Sequence, residues 1–235
     1  MSSRAGAPPR WAETTAVFGG TFDPPHLGHR EAVRGLFKNP GVKGVLILPA
    51  AIPPTKSPYC SIQHRLDMVE MNFQSTPKDS FPRDIRIDTR EITRSQLKPG
   101  HPNYTYDSLQ ELKSLHPFLA FVVGTDQLAQ LDTWYRFPEV LTLCHWIILA
   151  RMPEGEAKGR ELLKKWEGSG LIRTEGNQWK VNNCSSWITL ATTEAPPFSS
   201  SQIRESFGRN GTEPEGSLLP EVSVYLRQHS LYGIK

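Results

Sequence analysis

Short apolar runs alternate along this chain with stretches whose apolar residues recur every three to four positions. Thr14-Thr15-Ala16-Val17-Phe18 reads as a first strand, Val42 to Leu48 as a second ended by Pro49, and Ile85 to Asp88 as a short third. Phe118 to Val123 and Trp146 to Ala150 read as a fourth and a fifth. Between them, Arg30 to Lys38 predicts a helix stopped by Asn39-Pro40-Gly41. Ser61 to Phe73 carries Ile62, Leu66, Val69 and Phe73 at helical spacing behind Ser61 as N-cap, and Thr105 to Leu115 puts Leu109 and Leu112 on one face. Strands that alternate with helices predict an α/β, Rossmann-like architecture, a doubly wound parallel sheet. The pattern weakens after Arg151. There it gives a charged helix over Gly159 to Trp166, a hairpin around Glu175-Gly176-Asn177 and a strand over Trp187 to Leu190. Helices near Ser201 to Phe207 and Leu218 to Gln228 close the chain. The expected organisation is a disordered tail over 1–13 and one domain over 14–235, with 152–235 a small C-terminal helical subdomain.

Composition narrows the setting. The chain has 235 residues, enough for one well-buried α/β core, and a formal charge of only +3 spread without a basic block. That charge excludes neither a nucleotide nor a nucleic-acid partner, although no nucleic-acid partner is expected, and no run approaches the roughly 20 apolar residues that a membrane span needs. Cys60, Cys144 and Cys184 are odd in number and far apart, which suits reduced thiols and a cytoplasmic protein better than a disulfide framework. The first ten residues are polar and Pro-rich, unlike a signal peptide.

The candidate chemistry sits directly after the first strand, in Gly19-Gly20-Thr21-Phe22-Asp23-Pro24-Pro25-His26-Leu27-Gly28-His29. A Gly-rich turn from a strand into a helix start presents unpaired backbone N–H groups and a partial positive charge, which is an anion cradle. Gly19 and Gly20 permit a sharp turn and close approach to a ligand. His26 and His29 add imidazole donors beside it. Two histidines three apart could also begin a zinc site, but no third ligand follows at a usual spacing.

This string resembles the GGTFDPxHxGH signature of the nucleotidyltransferase superfamily, and more of the chain resembles one branch, bacterial nicotinate-nucleotide adenylyltransferase. The resemblance runs from about Val17 to Arg204, with Leu231 to Gly233 similar to the family's tail. It implies that Gly19, Gly20, Thr21, Phe22 and Gly28 line an ATP site in which His26 and His29 serve nucleotidyl transfer. Pro53-Pro54-Thr55-Lys56 resembles the segment that holds the mononucleotide phosphate; Lys56 matches, and Thr55 departs from the usual histidine. Thr105, in Tyr104-Thr105-Tyr106-Asp107-Ser108-Leu109, matches a position that helps hold the pyridine carboxylate. Gly124-Thr125-Asp126 resembles an adenosine-binding turn, with Gly124 against adenine and Asp126 accepting hydrogen bonds. Trp134 would stack on the nicotinate ring, and the Tyr135 N–H would meet its carboxylate. Arg151 falls beside the adenine nucleotide. Phe198-Ser199-Ser200-Ser201-Gln202-Ile203-Arg204 resembles a second phosphate cradle, in which Ser199, Ser200 and the catalytic Arg204 grip the leaving pyrophosphate.

The resemblance thus implies adenylyl transfer from ATP to nicotinate mononucleotide, giving nicotinate adenine dinucleotide and pyrophosphate. Magnesium would be carried on the phosphates, with no dedicated protein ligands. Rival readings are a preference for nicotinamide mononucleotide or pantetheine phosphate, a class I aminoacyl-tRNA synthetase, and a catalytically inactive nucleotide-binding regulator. The synthetase lacks support, because no Lys-Met-Ser-Lys-Ser-like loop is present. Retention of both histidines, Lys56 and Arg204 argues against the regulator. A homo-oligomer is left open.

Overall fold

The computed structural model describes residues 7–74 and 79–233. Its strands are β1 (Thr15–Gly20), β2 (Gly44–Pro49), β3 (Asp84–Ile87), β4 (Leu119–Gly124), β5 (His145–Arg151), β6 (Ile172–Glu175), β7 (Gln178–Val181) and β8 (Trp187–Thr193). They form one sheet in the order β3-β2-β1-β4-β5-β8-β7-β6. All neighbours from β3 through β8 are parallel, and the β6–β7–β8 meander is antiparallel. The helices are α1 (Leu27–Lys38), α2 (Ile62–Phe73), α3 (Arg90–Leu97), α4 (Thr105–Leu115), α5 (Thr125–Leu128), α6 (Gly155–Gly168), α7 (Ser200–Asn210) and α8 (Pro220–Gln228).

The central strands read as unbroken apolar runs because both faces of the sheet are covered, and their alternate residues divide between two cores. Val17, Leu46, Phe121 and Trp146 enter one cluster with Leu109 and Leu112 of α4 and Leu163 of α6. Their neighbours Ala16, Ile47, Val122 and Ile147 enter the other, with Val33, Leu36 and Phe37 of α1 and Phe73 of α2. A third, smaller cluster joins Met68 of α2 to Ile203 and Phe207 of α7 and Val222 and Leu226 of α8. Strand order reverses between β1 and β4, adjacent parallel strands from which the order runs outward to β2 on one side and β5 on the other, so the carboxyl ends of those strands frame the crevice where open α/β sheets bind ligands.

Several expected boundaries move, each for a local reason. β1 continues to Gly20 because Gly19 and Gly20 still pair with Leu48 and Pro49 of β2. α1 begins at Leu27, not Arg30, since His26 occupies its N-cap. α4 keeps its expected bounds, Thr105 to Leu115, with Tyr104 in the cap position. α3 was not visible in the apolar pattern: it buries only Glu91 and Ile92 and is held by ion pairs from Arg90 to Asp88 and from Arg94 to Glu111. Residues 152–235 hold α6, α7 and α8 and also supply β6 to β8, which extend the main sheet because Ile188 and Ala191 of β8 are buried beside β5. The tail over 1–13 needs correction at its end. Trp11–Glu13 form a 3-10 turn, since the Trp11 ring packs edge-on against His145 at 6.0 Å; residues 1–6 lie outside the described residues.

Candidate active site

At the carboxyl end of β1 the glycines serve packing as well as turning. A Cβ on Gly19 would meet the Phe121 ring at 3.1 Å, and one on Gly20 would meet the Phe22 ring at 2.9 Å. Phe22 sits at φ 51°, a left-handed conformation that non-glycine residues seldom adopt, with its ring 2% exposed. That turn throws the following residues back toward α1. Gly28 matters differently. A Cβ there would meet His26 Nδ1 and the Pro196 carbonyl, both at 2.9 Å, so only glycine lets the His26 ring lie against the first turn of α1.

The two histidines form one unit. Their rings stack with centroids 3.7 Å apart and an interplanar angle of 28°. The His26 backbone N–H donates to His29 Nδ1 at 3.2 Å. An accepting Nδ1 carries no proton, so neutral His29 holds its proton on Nε2. Burial, then the positive charge of Arg151, pushes His26 down to about 3. Burial, then His26 and Arg151, holds His29 well below the ordinary histidine value. Both rings are thus neutral near pH 7 and act as N–H donors, not as cations. His26 Nδ1 is buried with no hydrogen-bond partner among the described residues.

The N-terminus of α7 forms the opposite wall. Ser199 caps it reciprocally with Gln202: Ser199 Oγ accepts from the Gln202 N–H at 3.2 Å, and Gln202 Oε1 accepts from the Ser199 N–H at 3.1 Å. Ser200 Oγ donates to the Pro24 carbonyl at 2.8 Å, and Arg204 donates to the Asp23 carbonyl and to Ser201 Oγ. Arg151, exposed at the end of β5, donates to the Phe198 carbonyl at 3.3 Å. The structure therefore brings His26, His29, Arg151, Ser199, Ser200 and Arg204 to one end of the sheet.

The remaining expected site residues spread along the same edge. Gly124 caps α5 and its missing side chain would point into open space. Asp126 is 90% exposed and ion-paired to Lys158 Nζ at 2.9 Å, so an adenosine would meet a carboxylate that already has a partner. Lys56 is exposed in the loop after β2, with no hydrogen bond or ion pair among the described residues. Trp134 is half-buried and turns its ring edge-on to Phe121 and Trp146 at 6.1 and 6.5 Å. Tyr135, by contrast, is exposed and stacks on Tyr104 at 4.4 Å and 27°. Among the described residues no group of three or more His, Cys, Asp or Glu is placed to hold a metal ion.

Two supporting groups escaped the sequence reading. Arg65, 1% exposed, donates from α2 to the carbonyls of Thr21, Ala50 and Ala51 at 2.6 to 2.9 Å and so joins the loops after β1 and β2. Its signal was its position, three after Ile62 and four before Val69, a charge on an otherwise apolar stripe. Glu91 of α3, 4% exposed, accepts from Ser108 Oγ at 2.6 Å, while its own carbonyl accepts from Asn103. Asn103 Oδ1 in turn accepts from the Ile52 N–H at 2.6 Å, fixing the segment that leads into Thr105.

Burial raises Glu91 to about 7, against the opposing Ser108 hydrogen bond and Arg94. From the unfolded value of 4.5 up to about 7, the native state binds more protons than the unfolded one. Its contribution is complete below 4.5 and is lost as pH rises through about 7, at no more than about 1.4 kcal/mol per pH unit. Urea unfolding of wild-type and Glu91→Gln at pH 5 and pH 8 checks this. The wild type should lose ground to the variant on going to pH 8, and a constant difference would refute a buried neutral carboxyl.

A family profile described as cytidylyltransferase-like matches residues 17–206. Three bacterial relatives carry the name "probable nicotinate-nucleotide adenylyltransferase". The protein from Yersinia pestis (strain Pestoides F) is 30% identical over 220 residues, 92% of this chain and 94% of its own. Those from Pectobacterium atrosepticum and Sodalis glossinidius are 31% and 32% identical over 222 residues, 93% of this chain and 98% and 96% of theirs. Among solved structures, the Plasmodium falciparum nicotinic acid mononucleotide adenylyltransferase complexed with NaAD superposes with a TM-score of 0.70 at 17% identity, covering 95% of this chain and 98% of that one. The same enzyme complexed with APC gives 0.67. The first likeness is of sequence along nearly the whole chain, the second of fold. The chain belongs to the cytidylyltransferase-like nucleotidyltransferases and, within them, to the nicotinate-nucleotide adenylyltransferase family.

Proposed function

We propose that this chain transfers the adenylyl group of ATP to nicotinate mononucleotide, forming nicotinate adenine dinucleotide and pyrophosphate in NAD biosynthesis. The observation that carries the reading is the stacked, neutral histidine pair at the switch point of the sheet, facing the capped N-terminus of α7. A 5′-phosphate oxygen of the mononucleotide attacks the α-phosphorus of ATP in line. The bond from that phosphorus to the bridging oxygen breaks, and pyrophosphate leaves. No covalent enzyme intermediate is required, so positioning and charge stabilisation suffice.

His29 Nε2–H and the His26 ring donate to the reacting phosphates, with Gly19, Gly20, Thr21, Phe22 and Gly28 shaping the cradle around them. The Ser200 N–H and the remaining guanidinium donors of Arg204 hold the departing pyrophosphate, joined by the Ser199 and Ser200 hydroxyls where these exchange Gln202 and the Pro24 carbonyl for phosphate. Gly124, Asp126 and Arg151 flank the adenosine. Lys56 supplies a cation to the mononucleotide phosphate. The start of α4 at Thr105 and the Tyr135 N–H offer donors to the pyridine carboxylate, with Trp134 beside the ring. Nucleotidyltransferases of this kind generally use a divalent cation with ATP. We assign magnesium, entering as part of the Mg·ATP substrate. Three free cysteines support a cytoplasmic setting, and no described helix is long and apolar enough to cross a membrane.

Pyrophosphate release from ATP, measured with nicotinate and with nicotinamide mononucleotide, tests the assignment. The acid should be used with the higher kcat/KM, since the first-turn N–H groups of α4 favour an anion. Equal values for the two would sink the preference for the acid. Tight ATP binding without release for either would instead support a regulator.

A further inference from the structure

The carboxylate of Asp23 lies inside the signature string, is 4% exposed, and is not used by the transfer chemistry above. It receives three donors. Oδ1 accepts from Tyr232 OH at 2.6 Å and from Cys60 Sγ at 3.1 Å, and Oδ2 accepts from the Tyr59 N–H at 2.7 Å. The Tyr232 hydroxyl and Cys60 Sγ are also 3.2 Å apart, which closes a triangle. The backbone of the same turn takes Arg204 at the Asp23 carbonyl and Ser200 at the Pro24 carbonyl. The Arg204 guanidinium lies over the Tyr59 ring at 4.3 Å. Asp23 and Pro24 are therefore the meeting point of the loop that follows Lys56, the phosphate-gripping end of α7 and the segment Leu231–Gly233 beyond α8.

Tyr232 is held at φ 59°, left-handed for a residue with a bulky side chain. Such conformations persist where the surroundings over-determine them, and they cluster at functional sites. The ring of Tyr232 packs on the third apolar cluster, a task that phenylalanine would perform equally well. Only the hydroxyl reaches Asp23. Packing therefore accounts for the ring and leaves the hydroxyl, aimed into a buried corner of the nucleotide motif, without a role of its own. Burial, with Asp23 and Cys60 adding to it, raises the hydroxyl's pKa, so it stays a protonated donor throughout the working range.

We propose that Tyr232 is a positioning residue for the transfer reaction: through the Asp23 carboxylate its hydroxyl locks the histidine motif to the Tyr59–Cys60 corner of the mononucleotide-phosphate loop, setting the two substrates' phosphates in register. This rests on the adenylyl-transfer reading for its kinetic consequence but not for its mechanical one. The chain supplies, from a segment far away in sequence, a strap on the carboxylate that the Tyr59 N–H and Cys60 Sγ also hold, fixing its orientation between the two loops. Loosening it should leave each substrate's own contacts in place and disturb their relative placement. Near-attack geometry is sensitive to such displacement, where a shift of about 1 Å can cost up to about 10²-fold in rate.

Tyr232→Phe removes only the hydroxyl. We expect kcat to fall by about tenfold or more, with KM for either substrate and the melting temperature little changed. A second readout needs no turnover: in the substrate-free protein, the Tyr59 amide, which donates to Asp23 Oδ2, should exchange its hydrogen faster in the variant than in the wild type. If the wild type releases no pyrophosphate with either mononucleotide, the functional reading fails and the strap is judged by that amide alone. Unchanged kinetics with unchanged Tyr59 exchange would overturn the proposal. So would a variant that loses stability or fails to fold while kcat/KM per folded molecule is kept, since the hydroxyl would then serve the fold only.

Discussion

His29→Ala should slow pyrophosphate formation by about 10²- to 10³-fold, the usual cost of removing one preorganised donor from a developing negative charge. ATP affinity should change by much less. His29 carries its proton on Nε2 because Nδ1 is occupied by the His26 N–H, and its half-buried ring is wedged against Phe22 and Phe18 at 5.1 and 6.2 Å. The donor is thus oriented before substrate arrives and spends nothing on reorganisation. Alanine also strips the acceptor from His26, so the stacked pair loses its tie as well as its donor. His29→Asn keeps a side-chain amide near that tie and should retain more activity than alanine. The pH profile offers an independent check. Both rings are neutral well below pH 6.5, so kcat/KM should not rise as pH falls from 8 to 6, as it would if a histidine had to be protonated to act. Turnover by the alanine variant equal to wild type would remove His29 from the mechanism.

How much of this was legible in the sequence depends on the range of the interaction concerned. Strands β1, β2, β4 and β5 were visible because their residues alternate between two buried faces, which leaves unbroken apolar runs such as Val45-Leu46-Ile47-Leu48. The phosphate cradle was visible because its parts are contiguous: glycines, N-cap and histidines lie within eleven residues. α3 was not, since what holds it is charge pairing with Asp88 and Glu111 rather than an apolar stripe. Trp134 reads in sequence as an aromatic platform; in the fold its ring makes T-shaped contacts with Phe121 and Trp146, and beside it the exposed Tyr135 stacks on Tyr104, a pairing that sequence does not show. The supports of the site were the least legible. Asp23, Cys60 and Tyr232 come from three segments whose proximity is a property of the finished fold.

Arg65→Met is the second substitution expected to have a large effect, and its effect should fall on folding before it falls on catalysis. The guanidinium is 1% exposed, burial lowers its pKa, and the nearby Asp23 works against that lowering. Its worth to the fold comes from three backbone carbonyls, those of Thr21, Ala50 and Ala51, which have turned away from the sheet ladder at the ends of β1 and β2. Methionine fills much of the volume but donates nothing, so three acceptors, that of Ala51 buried and those of Thr21 and Ala50 partly so, lose a charged donor together. At about 1–3 kcal/mol for each unsatisfied buried group, partly relieved by water entering the crevice, the loss should reach about 3–5 kcal/mol. That is a large share of the roughly 5–15 kcal/mol by which domains are stable. Chemical denaturation should show the midpoint falling with little change in slope. Lysine is the informative control. It keeps the charge but cannot reach three divergent carbonyls with a planar fork, so it should recover only part of the loss. A stability loss under about 1 kcal/mol in Arg65→Met would mean that Thr21, Ala50 and Ala51 find other donors. The two loops would then be held by the sheet and by the bonds from Tyr59 and Cys60 to Asp23, and the spacing between the histidine cradle and the mononucleotide loop would owe nothing to Arg65.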